Sequence, residues 1–195
     1  MAHPIIYLHG ANASPSSFTY LRDNLPEHPL DLAPSYQVDD GLAANTRSLV
    51  EYMKLVHGNQ PFDIIAHSMG GLIAVGLARA GLNIRRIITL GTPFGGSAAA
   101  GYLKWLYPGH HMFDDISPNS SYLTSLRATP LGIPVDAFVT HGGRSPLMGE
   151  PNDGVVTVAS QMAFPGARYH RIDLNHFESL LSSHVVEQIS DLLEE

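Results

Sequence analysis

Ser68 stands inside the stretch 63–71, D-I-I-A-H-S-M-G-G, where an apolar run gives way through His67-Ser68-Met69 to Gly70-Gly71-Leu72-Ile73-Ala74-Val75. The first half reads as a buried strand and the second as a helix. At so sharp a strand-to-helix turn the serine is pushed out of the sheet edge, and only small residues fit two places before and after it. Here those residues are Ala66 and Gly70, giving A-x-S-x-G. The pattern alone fits two readings, a nucleophile held in a tight turn or a serine capping a helix. A nucleophilic serine needs a base beside it. That base is expected to be a histidine oriented by a carboxylate, in the chain order serine, acid, histidine. The chemistry would be attack on a carbonyl and acyl transfer.

Eleven histidines compete for the role of base. His176 comes late, just beyond a predicted last strand and at the start of a closing helix. Its other reading is a residue opening that helix, with Asn175 as cap. His170 falls within the strand, His184 reads as surface, and His67 adjoins the serine but is badly placed to reach its hydroxyl. For the carboxylate, Asp153 in P-N-D-G-V-V (151–156) is the best candidate, because the glycine allows a sharp turn that points the acid inward. A plain Asn-Asp-Gly surface turn would look the same, and Asp136, Asp173 and Glu150 are rivals. An oxyanion hole needs two preorganised backbone N–H donors. The residue after the serine, Met69, supplies one, and Ala11, after His9-Gly10, the other.

These residues need elements to position them. Residues 4–8 read as a short buried strand and 15–25 as a helix with Phe18, Leu21 and Leu25 on one face. A second strand is expected at 30–33. Residues 42–57 form the clearest helix before the serine, with Leu42, Leu49, Tyr52, Met53 and Val56 at helical spacing. Asp39-Asp40-Gly41 is its expected start. Further strands are predicted at 84–90, 133–139 and 168–174, with a short helix at 117–126. A closing helix at 175–193 would turn Phe177, Leu180, Leu181, Val185, Ile189 and Leu192 inward. Strands alternating with helices imply an α/β fold of about six mainly parallel strands flanked by helices, in one domain over 1–195. In such sheets chemistry gathers at the carboxyl ends of the strands. His9-Gly10, Ser68, Thr92-Pro93, His141-Gly142 and His176 all follow predicted strands.

Composition removes several function classes. A net charge of −7 argues against nucleic acid or an anionic membrane surface as main partner. With no cysteine there is no disulfide, thiol nucleophile or cysteine-bound zinc. No apolar run approaches the ~20 residues that span a bilayer. No signal peptide is visible, so a cytoplasmic location is expected, although a mature secreted form fits too. His110-His111 with Asp114-Asp115 suggests a metal cluster, but adjacent histidines point apart on regular structure and a polar loop is the simpler reading.

Five motifs together resemble the α/β hydrolases of the small bacterial lipase and esterase type, akin to triacylglycerol lipases. They are L-H-G-A (8–11), A-H-S-M-G-G (66–71), L-G-T-P-F-G-G-S (90–97), N-D-G-V-V (152–156) and N-H (175–176). They follow the family order across almost the whole chain. The resemblance implies Ser68 as nucleophile, Asp153 as acid, His176 as base, and Ala11 and Met69 as oxyanion donors. It also implies a minimal α/β-hydrolase fold, its first strand matching the family's third. Phe94 departs from the histidine of the T-P-H-x-G-S form. Larger lipases with a similar ending hold calcium through an acid shortly after the histidine. Glu178 could mimic that acid but lacks an upstream partner, so neither metal nor cofactor is expected.

The implied activity is hydrolysis of esters with an apolar acyl chain through an acyl-enzyme. The expected partner is a small ester or lipid substrate. In 98–122, Tyr102, Trp105 and Leu106 could line an acyl pocket or form a small lid, or belong to an ordinary amphipathic helix. A thioesterase or acyltransferase could use the same residues, and a catalytically silent binding module is the reading from a different class.

Overall fold

Four runs rich in Ile, Leu and Val and a fifth, R-Y-H-R-I, become five parallel strands in a computed structural model that describes residues 3–28, 30–37, 40–97, 112–145 and 148–195. They are β1 (Ile5–Leu8), β2 (Phe62–His67), β3 (Ile84–Leu90), β4 (Val135–Thr140) and β5 (Arg168–Ile172), paired in chain order. Ile6 lies opposite Ile64, Ile65 opposite Ile88, and Thr89 opposite Ala137. β1 and β2 are covered on both faces and have no need of polar alternation, whereas β5, R-Y-H-R-I, buries only Ile172 fully.

Alternate side chains feed two cores. Ile6, Leu8, Ile64, Ala66 and Ile87 join one, with helices α2 (Leu42–Val56), α3 (Gly70–Arg79) and α5 (Ser121–Leu126) supplying Leu49, Met53, Leu72, Ile73 and Leu123. Ile5, Tyr7, Ile65, Ile88 and Leu90 join the other. There α1 (Thr19–Asn24) and α7 (Ser183–Glu194) supply Leu21, Val185, Ile189 and Leu192, beside Phe18 of the preceding 3-10 turn Pro15–Phe18. Each fully buried aliphatic side chain is worth about 1.5–3 kcal/mol relative to exposure, so these layers, not individual polar contacts, hold the sheet.

The strand expected at 30–33 shrinks to one bridged residue. Leu32 pairs with Ile6 outside β1, through Tyr7 N–H to Leu32 O at 2.8 Å and Leu32 N–H to Ile5 O at 2.9 Å. Pro34 has no N–H to continue the ladder, and Leu30 takes a left-handed backbone (φ 58°). The chain thus steps outward from β1 to Leu32 and returns across it to β2. In open α/β sheets ligands collect at the carboxyl ends of the strands beside such a reversal of direction.

Other expectations shift in detail. Tyr52 and Val56 are exposed on α2, and Asn45, Thr46 and Val50 are buried in their place. Gly41 gives α2 no side-chain cap; Asp115, at the end of α4 (Met112–Asp115), accepts from Leu42 N–H at 2.6 Å. The closing segment is not one helix. A 3-10 turn at Glu178–Leu180 precedes α7, and Phe177 and Leu181 are exposed rather than inward. The expected pocket residues Tyr102, Trp105 and Leu106 lie outside the described residues. Just after them, Phe113, Ile116, Leu123 and Leu126 are buried in the α2–α3 core. Among the described residues no helix is long and apolar enough to cross a membrane.

Candidate active site

Ser68 takes a left-handed backbone, φ 54°, between the end of β2 and the start of α3. For a residue with a Cβ this conformation is costly and persists only where the surroundings enforce it. The enforcement is visible. Ser68 N–H donates to Leu90 O at 2.8 Å, and the Thr92 hydroxyl donates to Ser68 O at 2.8 Å. Thr92 can sit there because Gly71 has no side chain; a Cβ on Gly71 would lie 2.1 Å from its Oγ1. Gly70 is equally constrained, since its Cβ would lie 2.1 Å from Leu8 O. The small residue two places after the serine is therefore required by strand–helix contact, and Thr92 of G-T-P (91–93), after β3, braces the same turn. The hydroxyl does not cap α3, which starts without any side-chain cap.

The first loop passes directly over this turn. A Cβ on Gly10 would lie 2.8 Å from Ser68 Cβ and 3.3 Å from His67 Nδ1. Tyr36, not singled out by the sequence, fixes the loop: its ring stacks on His9 at 4.1 Å and its hydroxyl donates to His9 O. Burial lowers the His9 pKa, partly offset by its hydrogen bond to Gly10 O, so the ring over the loop is neutral. Among the described residues, neither Ala11 N–H nor Met69 N–H has an acceptor. An oxyanion hole requires two such free N–H groups.

Asp153 and His176 come together, both buried, with His176 Nδ1 donating to Asp153 Oδ2 at 2.7 Å. A carboxylate only accepts, so Nδ1 carries the proton and the neutral ring bares its lone pair at Nε2. His176 N–H also donates to Asp153 O at 3.0 Å. The carboxylate is densely held. Val155 and Val156 N–H donate to Oδ1 at 2.9 and 2.7 Å. The Thr140 hydroxyl donates to Oδ2 at 2.5 Å and the Gln161 amide at 3.3 Å. Burial by itself would raise the Asp153 pKa, but the hydrogen bond and charge of His176, then Thr140 and Val156 N–H, bring it below the ordinary value. The acid is ionised at neutral pH. Thr140, last residue of β4, and Gln161, on α6 (Val158–Gln161), carried no signal in the sequence.

The pair lies against the serine turn. His67, the residue before Ser68, has its ring 4.7 Å from that of His176. Gly91, three residues before the end of the G-T-P-F stretch, faces the pair, and a Cβ there would be 2.9 Å from His176 Nδ1 and 3.2 Å from Asp153 Oδ2.

The rivals are elsewhere. Asp136, fully buried, sits near the amino end of β4, bound by Arg168 Nε at 2.8 Å and His170 Nε2 at 2.9 Å. Asp173 is exposed and pairs with His141 at 3.5 Å. Glu178 folds back on its own turn: its Oε2 accepts from Asn175 N–H at 2.8 Å while Asn175 Oδ1 accepts from Glu178 N–H at 3.0 Å. This reciprocal cap explains Glu178 without calcium.

No family model matches the chain, and no curated protein is similar to it in sequence. Solved structures are similar in shape. A lipase from Bacillus licheniformis in mature form is 20% identical with a TM-score of 0.66, over 98% of this chain and 92% of that one. An alpha/beta superfamily hydrolase from Oenococcus oeni is 14% identical with a TM-score of 0.68, over 100% and 93%. A thioesterase from the prodiginine pathway of Streptomyces coelicolor is 14% identical with a TM-score of 0.61, over 97% and 84%. The parallel sheet, its strained strand-to-helix turn and these shared outlines show that the chain has the α/β-hydrolase fold in a reduced form.

Proposed function

We propose that this protein is a serine ester hydrolase acting on esters with an apolar acyl chain. The observation that carries the reading is the buried Asp153–His176 pair set against a left-handed Ser68. In this reading His176 Nε2 takes the Ser68 proton as Oγ attacks the ester carbonyl, and Ala11 and Met69 N–H groups receive the oxyanion. Asp153, kept ionised, stabilises the imidazolium while the same proton passes to the leaving alcohol. Water, deprotonated by His176, then releases the acid and restores the serine. Protons move only among chain, substrate and water, so the scheme calls for no cofactor. Lipase and thioesterase folds among the similar structures support acyl transfer as the reaction class.

The test is hydrolysis of p-nitrophenyl esters of increasing chain length, and of matched acyl thioesters, by wild type and Ser68→Ala. Wild type should turn over the oxygen esters and label with a fluorophosphonate; the variant should do neither. Thioesters cleaved far faster than oxygen esters would move the assignment to a thioesterase. Equal turnover by Ser68→Ala would remove Ser68 from the chemistry.

A further inference from the structure

His67 is buried beside the serine, yet the proposed acyl-transfer scheme gives it no task. Its Nε2 lies 2.9 Å from the backbone carbonyl of His176. A carbonyl can only accept, so Nε2 carries the hydrogen. A neutral ring then has a bare Nδ1, and Nδ1 is in fact buried without any partner, facing Gly10. Burial first, then the neighbouring His176, lower the His67 pKa to about 4, against the opposing pull of its hydrogen bond and Asp153. An unpaired buried acceptor is a liability that a purely structural position would shed for an apolar residue. What the imidazole provides in return is one N–H at the reach needed to hold residue 176.

We propose that His67 is a positioning residue, locked as the neutral Nε2–H tautomer, whose hydrogen bond to the His176 carbonyl ties the base to the backbone turn that carries Ser68. This rests on the serine-hydrolase reading for its catalytic consequence, though not for the tautomer. His176 is then gripped by four hydrogen bonds. Its N–H donates to Asp153 O and its Nδ1–H to Asp153 Oδ2, while its carbonyl accepts from His67 and, three residues on in its own turn, from the Ser179 hydroxyl at 3.2 Å. The first two fix the base to the acid. Of these, the bond from His67 fixes it directly to the residue preceding the nucleophile, 109 positions away in the chain. The tilted contact of the two rings, 53° between planes, adds a lateral stop. Without this tie the acid and base can shift together relative to Ser68, and displacements of about 1 Å in such pairs cost about 100-fold in rate.

The experiment has two arms on the full chain. Long-range 1H–15N NMR of wild type should show one histidine as the Nε2–H tautomer that does not titrate between pH 5 and 8 and vanishes in His67→Gln. A His67 signal of the Nδ1–H tautomer, or one that titrates in this range, overturns the proposal whether or not esters are hydrolysed. In the second arm, kcat and KM are measured for His67→Leu and His67→Gln on an ester that wild type cleaves and Ser68→Ala does not. Leu should lower kcat about 10- to 100-fold with KM little changed. Gln, which can present an amide N–H at similar reach, should recover most of that loss. Equal losses in Gln and Leu, or a Leu variant with wild-type kcat, overturn it. If Leu does not fold, Gln and the NMR arm decide. If no ester is hydrolysed, the previous reading fails and the tautomer result still stands or falls alone.

Discussion

Thr140→Val tests whether the carboxylate of Asp153 is held as the structure indicates. The two side chains have nearly the same shape, so the substitution removes one hydroxyl and leaves the buried volume filled. That hydroxyl donates to Asp153 Oδ2 at 2.5 Å in a site where Asp153 is 1% exposed. Hydrogen bonds to charged groups contribute about 1.5–3 kcal/mol. For a protein of this size that corresponds to a fall in Tm of about 3–12 °C. The pH dependence follows from the direction of the shift. Asp153 has a folded pKa below its unfolded one, so its contribution is fully present above the unfolded value and is lost as pH falls through the folded one. Removing Thr140 Oγ1 raises the folded pKa back towards the ordinary range, so the penalty should be largest at pH 7 and shrink towards the acid limit of folding. Activity should suffer less than in Asp153→Asn, because His176, Val155 and Val156 still hold the carboxylate. Urea denaturation across pH, with kcat on a p-nitrophenyl ester, reads both. A variant as stable as wild type at pH 7, or a penalty that does not change with pH, would refute this account of Asp153.

Four further substitutions separate chemistry from architecture. Asp153→Asn should lower kcat by about 1000- to 10,000-fold in steady-state assays by misorienting the base. Asp136→Asn should keep kcat per folded molecule while lowering the unfolding midpoint, because it removes the charge that faces half-exposed Arg168 at 2.8 Å and buried Arg86 at 3.7 Å, and breaking a fully buried pair costs about 3–5 kcal/mol; a large kcat loss only in Asp136→Asn would reverse the assignment. Gly70→Ala places a Cβ 2.1 Å from Leu8 O and 2.8 Å from His9 O, both backbone atoms, so the cost measured by chemical denaturation should reach the top of the about 1–3 kcal/mol range for overpacking or exceed it. Asp115→Ala removes the cap on Leu42 N–H and should cost about 0.5–2 kcal/mol in the same measurement, with no change in KM.

What the sequence made legible were groups with a local signature. Ser68 was visible because a strained turn demands small neighbours, and Asp153 and His176 because each follows a strand within a short turn. Tyr36, Thr140, Gln161 and His67 leave no such trace, since their work is done across the fold. Tyr36 reaches His9 over 27 residues, and Asp115 caps Leu42 over 73. The Asp-Asp-Gly run looked sufficient to start α2, yet the acid that accepts from Leu42 N–H is Asp115 at the end of α4. Periodicity located α2 but not its buried stripe. Asn45 and Thr46 turn inward because each finds a partner there, Asn45 at Gln37 O and Thr46 at the Tyr122 hydroxyl. Tyr52 and Val56 then fall outside. The N-x-x-E of 175–178 was readable as a reciprocal cap, and seeing it would have ended the presumed closing helix at a turn and placed Phe177 in solvent.

The contrast between Asp136 and Asp153 shows which physical fact did the sorting. Both are buried carboxylates bonded to histidine, Asp136 to His170 at 2.9 Å and Asp153 to His176 at 2.7 Å. A histidine partner alone does not distinguish them. Strand direction does: all five strands run the same way, so residues early in a strand and residues following it lie at opposite ends of the sheet. Asp136 is second in β4 and meets Arg168, the first residue of β5, at the end remote from Ser68. Asp153 follows β4, His176 follows β5, Ser68 follows β2 and Ala11 follows β1. A parallel sheet thereby gathers every loop that leaves a strand on one edge, and an acid earns a place in the site by its position after a strand rather than by its partner.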